Sequence, residues 1–204
     1  MSKRGDEMLL KAEVASGPTY HLRLFRTGAC RVKGRYAYRN YAKDRDHLYY
    51  IYVGVIQGND VTALVDTGME SVAKMNEMAG FLLSELITQE PGEDTASILE
   101  RAGVAAEDVD YVFLTHCHYD HCSNLPMFPR ATVVVPKRAW ETWHTQPDGA
   151  DYLHEGFLEH LEALHAEGRL HLLDKGIVVP GIGVRWVGGH SPCSQFLYVN
   201  TAKG

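Results

Sequence analysis

The stretch DYVFLTHCHYDHCSN, residues 110–124, restricts the fold of this 204-residue chain more than any other. Its first six residues form a short apolar run of strand type. That run passes without a break into four side chains able to bind metal, His116, His118, Asp120 and His121, within six positions. His116 and His118 are two apart. In an extended segment both point to one side, so both imidazoles can reach one ion. Asp120 and His121 are adjacent and converge only where the chain turns into a helix. Asn124 and Pro126 supply residues suited to such a turn. The string therefore offers two half-sites, and two half-sites side by side suggest a cluster of ions about 3.5–4 Å apart. Imidazole and carboxylate suit zinc, iron and manganese.

Further ligands must come from elsewhere. RWVGGHSPCSQ offers His190, preceded by two glycines that let backbone approach a metal. Asp66, in VDTG, is a carboxylate expected to act one step back, by holding the ring N–H of a ligand histidine. The other histidines are expected to be ordinary surface or satisfied residues. Among them His154, His160 and His165 are read as solvated positions on one long helix.

The remaining sequence alternates strands and helices. YHLRLF (20–25), YYIYVGVIQG (49–58) and VTALVDTG (61–68) read as strands, with Gly58-Asn59-Asp60 as a hairpin turn. The 49–58 strand is read as buried. Residues 69–91 have helical composition interrupted by Gly80, and read as a helix or an insertion at the site. A helix capped by Asp94 or Thr95 ends at Gly103. ATVVVP is a strand, KRAWETWHT a helix, and residues 150–168 a longer amphipathic helix with Leu153, Phe157, Leu161 and Leu164 on one face. RLHLLD, GIVVPGIGVRWVGGH and SQFLYVN read as short strands. No GxGxxG or P-loop is present, so nucleotide-cofactor chemistry has no motif.

Composition removes other classes. A net charge of −6 argues against nucleic acid as a partner. The basic, tyrosine-rich segment 30–45 is read as a solvated loop with half-buried tyrosines. No apolar run reaches the ~18 residues of a membrane span. Asp6, Glu7 and Glu13 interrupt any secretory signal at the N-terminus, which leaves a cytoplasmic location as the expectation. The four cysteines contain no CxxC pair and are expected to be free thiols. By alternation Cys117 should point away from the flanking ligands. Cys122 and Cys193 are expected to pack, although Cys193 stands close enough to His190 to reach a metal edge.

LVDTG, LTHCHYDHCSNL (HxHxDH) and GGHSPCSQ, in this order and spacing, resemble the metallo-β-lactamase-fold hydrolases. The tyrosine-rich N-terminal strands, HYDHCSNLPMFPRA and VGGHSP bring the chain closest to the N-acyl homoserine lactonase branch. The resemblance implies one domain over residues 1–204, an α/β protein built as an αββα sandwich with two divalent metal ions, zinc foremost, at one edge. His116, His118 and His190 would hold the first ion. Asp120 and His121 would hold the second, with Asp120 also assigned to catalysis. The implied reaction is opening of a lactone ester, as in quorum quenching, by metal-activated hydroxide on a small-molecule substrate. A glyoxalase II-like thioesterase is the alternative on the same fold. The family pattern continues to an Asp between the metals and a last His, but the 14 residues after His190 contain neither. The expectation is therefore a sandwich lacking its last strands and helix, with room for only one ion. It also leaves open an incompetent metal-binding or redox-responsive protein, and a homodimer through the edge left by SQFLYVN.

Overall fold

The computed structural model describes residues 3–37, 44–146 and 148–203. Its elements run α1 (Lys3–Ala15), β1 (His21–Val32), α2 (Gly34–Ala37), β2 (His47–Gly58), β3 (Val61–Val65), α3 (Val72–Ala79), β4 (Leu83–Thr88), α4 (Thr95–Ala102), β5 (Tyr111–Phe113), α5 (Tyr119–Cys122), β6 (Thr132–Val135), α6 (Lys137–Thr145), α7 (Phe157–Ala166), β7 (Leu170–Leu172), β8 (Lys175–Val179), β9 (Ile182–Trp186) and β10 (Gln195–Val199).

The strands form a seven-stranded sheet in the order β4-β1-β2-β3-β5-β6-β7 and a three-stranded sheet in the order β10-β9-β8. The β2–β3 hairpin turns through Asn59 and Asp60, both with positive φ (52° and 59°), the backbone that matches the twist of paired strands. From β3 onward the large sheet is parallel. Its strands are joined through helices, which collect on one face. There Ile98 and Leu99 of α4, Trp143 of α6 and Leu161 of α7 bury against Val53, Val55, Leu64, Val112 and Val133. The other face, with Ile56, Ala63, Phe113 and Val134, closes against Val179, Ile182 and Val184 of the small sheet. Helix α1 covers the outer side of the small sheet. Leu10 and Val14 lie so close over Gly183 that a Cβ there would stand 3.2 and 3.0 Å from their methyl carbons. The layers are thus helices, sheet, sheet, helix. Parallel strands end together on one side, so the loops after β3 and β5 emerge next to each other.

Several local expectations are corrected. Residues 83–88 form a strand, not helix, because the open edge of β1 pairs with them. The segment from Cys30 is not a loop throughout: Cys30–Val32 continue β1 against β2, Cys30 is buried, and α2 follows. Residues 38–43 of that segment lie outside the described residues. Strand β2 is buried at Ile51 and from Val53 to Ile56, while Tyr49, Tyr50 and Tyr52 are exposed. The long helix expected from residue 150 starts at Phe157, because Gly156 takes a positive φ of 77° ahead of it.

Candidate metal centre

The site is built from the end of β3 outward. Asp66 follows β3 directly and has a positive φ of 60°, a backbone that Asp tolerates better than most residues. Its N–H bonds Phe113 O at 2.9 Å, and the next N–H, of Thr67, bonds His121 O at 2.7 Å. The bend turns the Asp66 carboxylate inward, where it is 3% exposed. Its Oδ1 accepts the Thr115 N–H at 2.7 Å. Its Oδ2 accepts the Thr115 hydroxyl and the His121 Nδ1–H, each at 2.7 Å.

These contacts assign protons to ring nitrogens. A carboxylate only accepts, so His121 carries its proton on Nδ1 and turns Nε2 outward. The Thr115 hydroxyl, having given its proton to Asp66, accepts from His116 Nδ1 at 3.1 Å. The His116 Nε2 lone pair is then free as well. One buried carboxylate thus orients two imidazoles, one directly and one through Thr115. The motif drew attention to His116 and passed over Thr115, whose signal was a hydroxyl residue at the last position of the apolar run 110–115, two residues past β5.

His190 comes from the far side of the fold. Gly188 and Gly189 have φ of 63° and 100°, which lets the chain double back after β9. The loop is then tied to the first histidine loop. Cys117 N–H bonds Cys193 Sγ at 3.2 Å, Gln195 N–H bonds Thr115 O at 2.9 Å, and the Gln195 amide donates to Leu114 O at 2.7 Å. Cys117, Cys122 and Cys193 are free thiols packed in the core. Hydrogen bonding from Cys117, reinforced by Ser191 and Tyr152 against the effect of burial, brings the Cys193 thiol down to about 6.

Three imidazoles meet as a result. His190 Nε2 stands 3.1 Å from His118 Nδ1. The His116 ring centroid lies 4.6 Å from that of His118 and 4.9 Å from that of His190. One ligand atom from each of the three falls within 4.8 Å of the others. Around a tetrahedral ion with bonds of about 2.0–2.1 Å, two nitrogens sit roughly 3.3 Å apart. The His118–His190 pair already has that spacing. Asp120 and His121 stand beside this group and pair with each other, Asp120 Oδ2 lying 3.4 Å from His121 Nε2.

The protonation states suit a cation. Burial, with His121, His118 and His190 close by, pushes His116 down to about 2. Burial and His190 push His118 down to about 4, and burial and His121 lower His190. All three are neutral at pH 7 and present lone pairs. His121 goes the other way: burial opposes its charge, but Asp66 and Asp120 prevail and raise it to about 10. Burial works against Asp120 too, yet His121 holds it down at about 2. The donor set fits a divalent metal.

The linkage has a definite sign in chelator-treated protein. Below about pH 6.5 the unfolded chain protonates His116 and His118 before the folded chain does, so stability falls toward acid. Above about 6.5 the unfolded chain loses the His121 proton that the folded chain keeps to about 10, so stability falls toward alkali. Melting temperature in EDTA is expected to peak between about pH 6 and 7 and to decline on both sides. A profile flat from pH 5 to 9 would contradict these charge states.

Two of the remaining histidines complete the comparison with expectation. His160 lies on α7. His154 does not belong to that helix, and it is half-buried, its ring 5.1 Å from that of Tyr119 and its Nδ1 3.9 Å from Cys122 Sγ. The late start of the helix at Phe157 leaves it off the helix and at the flank of the site. Among the described residues no helix is long and apolar enough to cross a membrane.

Residues 48–203 match the family model of the metallo-beta-lactamase superfamily. The N-acyl homoserine lactonase of Bacillus thuringiensis is 30% identical over 145 residues, covering 69% of this chain and 54% of that protein. The N-acyl homoserine lactonase of Bacillus cereus is 31% identical over 144 residues, with the same coverage of 69% and 54%. The chain thus spans about half the length of the curated relatives it matches. Among solved structures, an N-acyl homoserine lactone hydrolase with N-hexanoyl-L-homoserine bound at its catalytic metal centre superposes with a TM-score of 0.72 at 22% identity, over 91% of this chain and 73% of that one. With residues 48–203 matched by the family model, the chain belongs to the metallo-beta-lactamase superfamily.

Proposed function

We propose that the chain is a metal-dependent hydrolase that opens lactones of the N-acyl homoserine type, with a quorum-quenching role in the cytoplasm. The observation that carries this reading is the 3.1 Å approach of His190 Nε2 to His118 Nδ1 across 72 positions of sequence. It makes one ion site from two loops. The relatives' activity on acyl homoserine lactones supports the choice of substrate.

His116, His118 and His190 are the ligands of the first ion, for which zinc is the proposed metal. Such an ion supplies a Lewis acid and an activated water near neutral pH. His121 Nε2 and Asp120 Oδ2 are the donors for a second ion, which would take the place of the proton that His121 holds. Asp66 keeps the His121 and His116 rings turned outward. Asp120, anionic at neutral pH, is assigned to hold the proton of the attacking water.

The test is turnover by zinc-loaded protein, followed as proton release from an N-acyl homoserine lactone and, in parallel, from a glutathione thioester. Lactone opening that disappears with chelator is the expected result. Thioester cleavage without lactone opening would replace the substrate assignment. Bound zinc with neither reaction would leave a metal-binding protein and end the hydrolase reading.

A further inference from the structure

The histidines of the centre are not all held alike. Asp66 orients His121 directly and His116 through Thr115. Among the described residues, the His118 and His190 rings hydrogen-bond only each other. Ligand imidazoles usually give their second ring nitrogen to an orienting partner. These two are placed in another way, by their backbone and by packing.

Their backbones converge on one sulfur. Ser194 N–H bonds Ser191 O at 3.0 Å and closes a tight turn directly after His190. Ser191 N–H bonds Ser194 Oγ, also at 3.0 Å. The turn aims Cys193 inward, where it is fully buried. Its Sγ accepts the N–H of Cys117, the residue between His116 and His118, at 3.2 Å. The Ser191 hydroxyl lies 3.1 Å from the same atom. The sulfur thus meets the backbone of the first two ligands from a position three residues past the third. Gln195 also joins the two loops, but further from His190, at the start of β10.

A third segment reaches the same sulfur. Gly149 lies so close to α6 that a Cβ there would stand 2.3 Å from Thr142 O, an approach that only glycine allows. The chain is thereby pressed along α6, and Tyr152 comes beside the buried Trp143. Trp143 Nε1–H donates to the Tyr152 hydroxyl oxygen at 2.7 Å. Burial, with Cys193 alongside, pushes the Tyr152 phenol far above its usual range. The hydroxyl therefore keeps its proton and gives it to Cys193 Sγ. The Tyr152 ring meanwhile stands edge-on to His118, with centroids 6.0 Å apart and planes at 81°. One side chain anchored on α6 touches a ligand ring with its flank and the sulfur with its tip.

We infer that Cys193 and Tyr152 are positioning residues of the metal centre, which set His118 against His190 by tying the two ligand loops to each other and to α6. The inference rests on the three-histidine ion site proposed above and is independent of the substrate.

Two measurements test it together, zinc competition against a chromophoric chelator and the visible absorption of cobalt(II) bound in place of zinc. Tyr152→Phe keeps the ring beside His118 and removes the hydroxyl. It is expected to weaken zinc binding about 10-fold, the lower end of what loss of an outer partner costs. Cys193→Ala removes the shared acceptor and is expected to weaken zinc binding by about 100-fold. Cys193→Ser restores an acceptor and is expected to bind more weakly than the wild type and more tightly than Cys193→Ala. Tyr152→Phe and Cys193→Ala are both expected to alter the cobalt(II) spectrum, which reports the arrangement of the ligands. Leu164→Ala, a core truncation on α7, is expected to melt earlier with zinc affinity and cobalt(II) spectrum unchanged, and so marks what destabilisation alone does. If Cys193→Ala does not fold, Tyr152→Phe and Cys193→Ser carry the test. Tyr152 and Cys193 variants that bind zinc and cobalt(II) as the wild type does overturn the inference and leave the ion site standing. A wild type that takes up neither metal overturns the ion site and the inference together.

Discussion

Replacing His116 with alanine is expected to remove tight metal binding at the three-histidine site. His116 supplies one of three imidazoles whose ligand atoms lie within 4.8 Å of one another. Zinc bound by four protein ligands carries about 10–16 kcal/mol of apparent binding free energy. One ligand then accounts for roughly a quarter, or about 10²–10³-fold in affinity if the other contacts persist. His116 is also the ring on which His118, His121 and His190 all close, with centroids at 4.6, 4.1 and 4.9 Å. Its loss loosens the other ligands as well, so the upper part of that range is expected. Metal competition against a chromophoric chelator measures the change. His160→Ala, on α7 and away from the cluster, serves as the control and is expected to bind as the wild type does. Equal zinc content in the wild type and the His116 variant would show that the ion sits elsewhere.

The second large effect belongs to Asp66, which would touch no metal in the proposed arrangement. Its two oxygens accept three hydrogen bonds, from the Thr115 N–H, the Thr115 hydroxyl and His121 Nδ1. Asp66→Ala leaves those donors in a buried place and strands the charge on His121. Breaking a buried pair of this kind costs about 3–5 kcal/mol. The same change frees the His116 and His121 rings, and loss of an orienting partner typically costs 10–100-fold in metal affinity. The two consequences separate in Asp66→Asn. The amide keeps the shape, and its oxygen can still take the Thr115 N–H. Its NH₂ then faces His121 Nδ1 and drives the ring proton to Nε2, the nitrogen needed for metal. Asp66→Asn is therefore expected to recover most of the stability in denaturant melts while keeping the metal defect. Nitrogen chemical shifts of His121 would report the changed tautomer. Full recovery of metal affinity in Asp66→Asn would contradict the orienting role.

Much of this was legible in the chain. Apolar runs bounded by turn residues located β3, β5 and β6, and the Asp94 and Gly103 caps located α4, because those signals are local. Strand β4 was not legible. Leu83 and Ile87 stand four apart, a helical spacing as much as a strand one, and pairing with the edge of β1 decides the matter. The half-exposed state of β2 was hidden for a related reason, since its aromatic composition is that of a buried strand. At the site, residue types and spacing pointed to His116, His118, Asp120 and His121 as ligands. The tie between His190 and His118 depends on a fold spanning 72 positions and was reached through family resemblance. Thr115 carried too little signal to be noticed, because a threonine just past a strand is commonplace until its hydroxyl is seen between a carboxylate and an imidazole.

Anomalous diffraction at the zinc edge, on crystals of the zinc-loaded protein, addresses the shared ion site most directly. The expected result is a peak bonded at about 2.0–2.1 Å to ring nitrogens of His116, His118 and His190 together. A peak bonded to the first two with the residue 190 ring turned away, or no peak between the two loops, would contradict it.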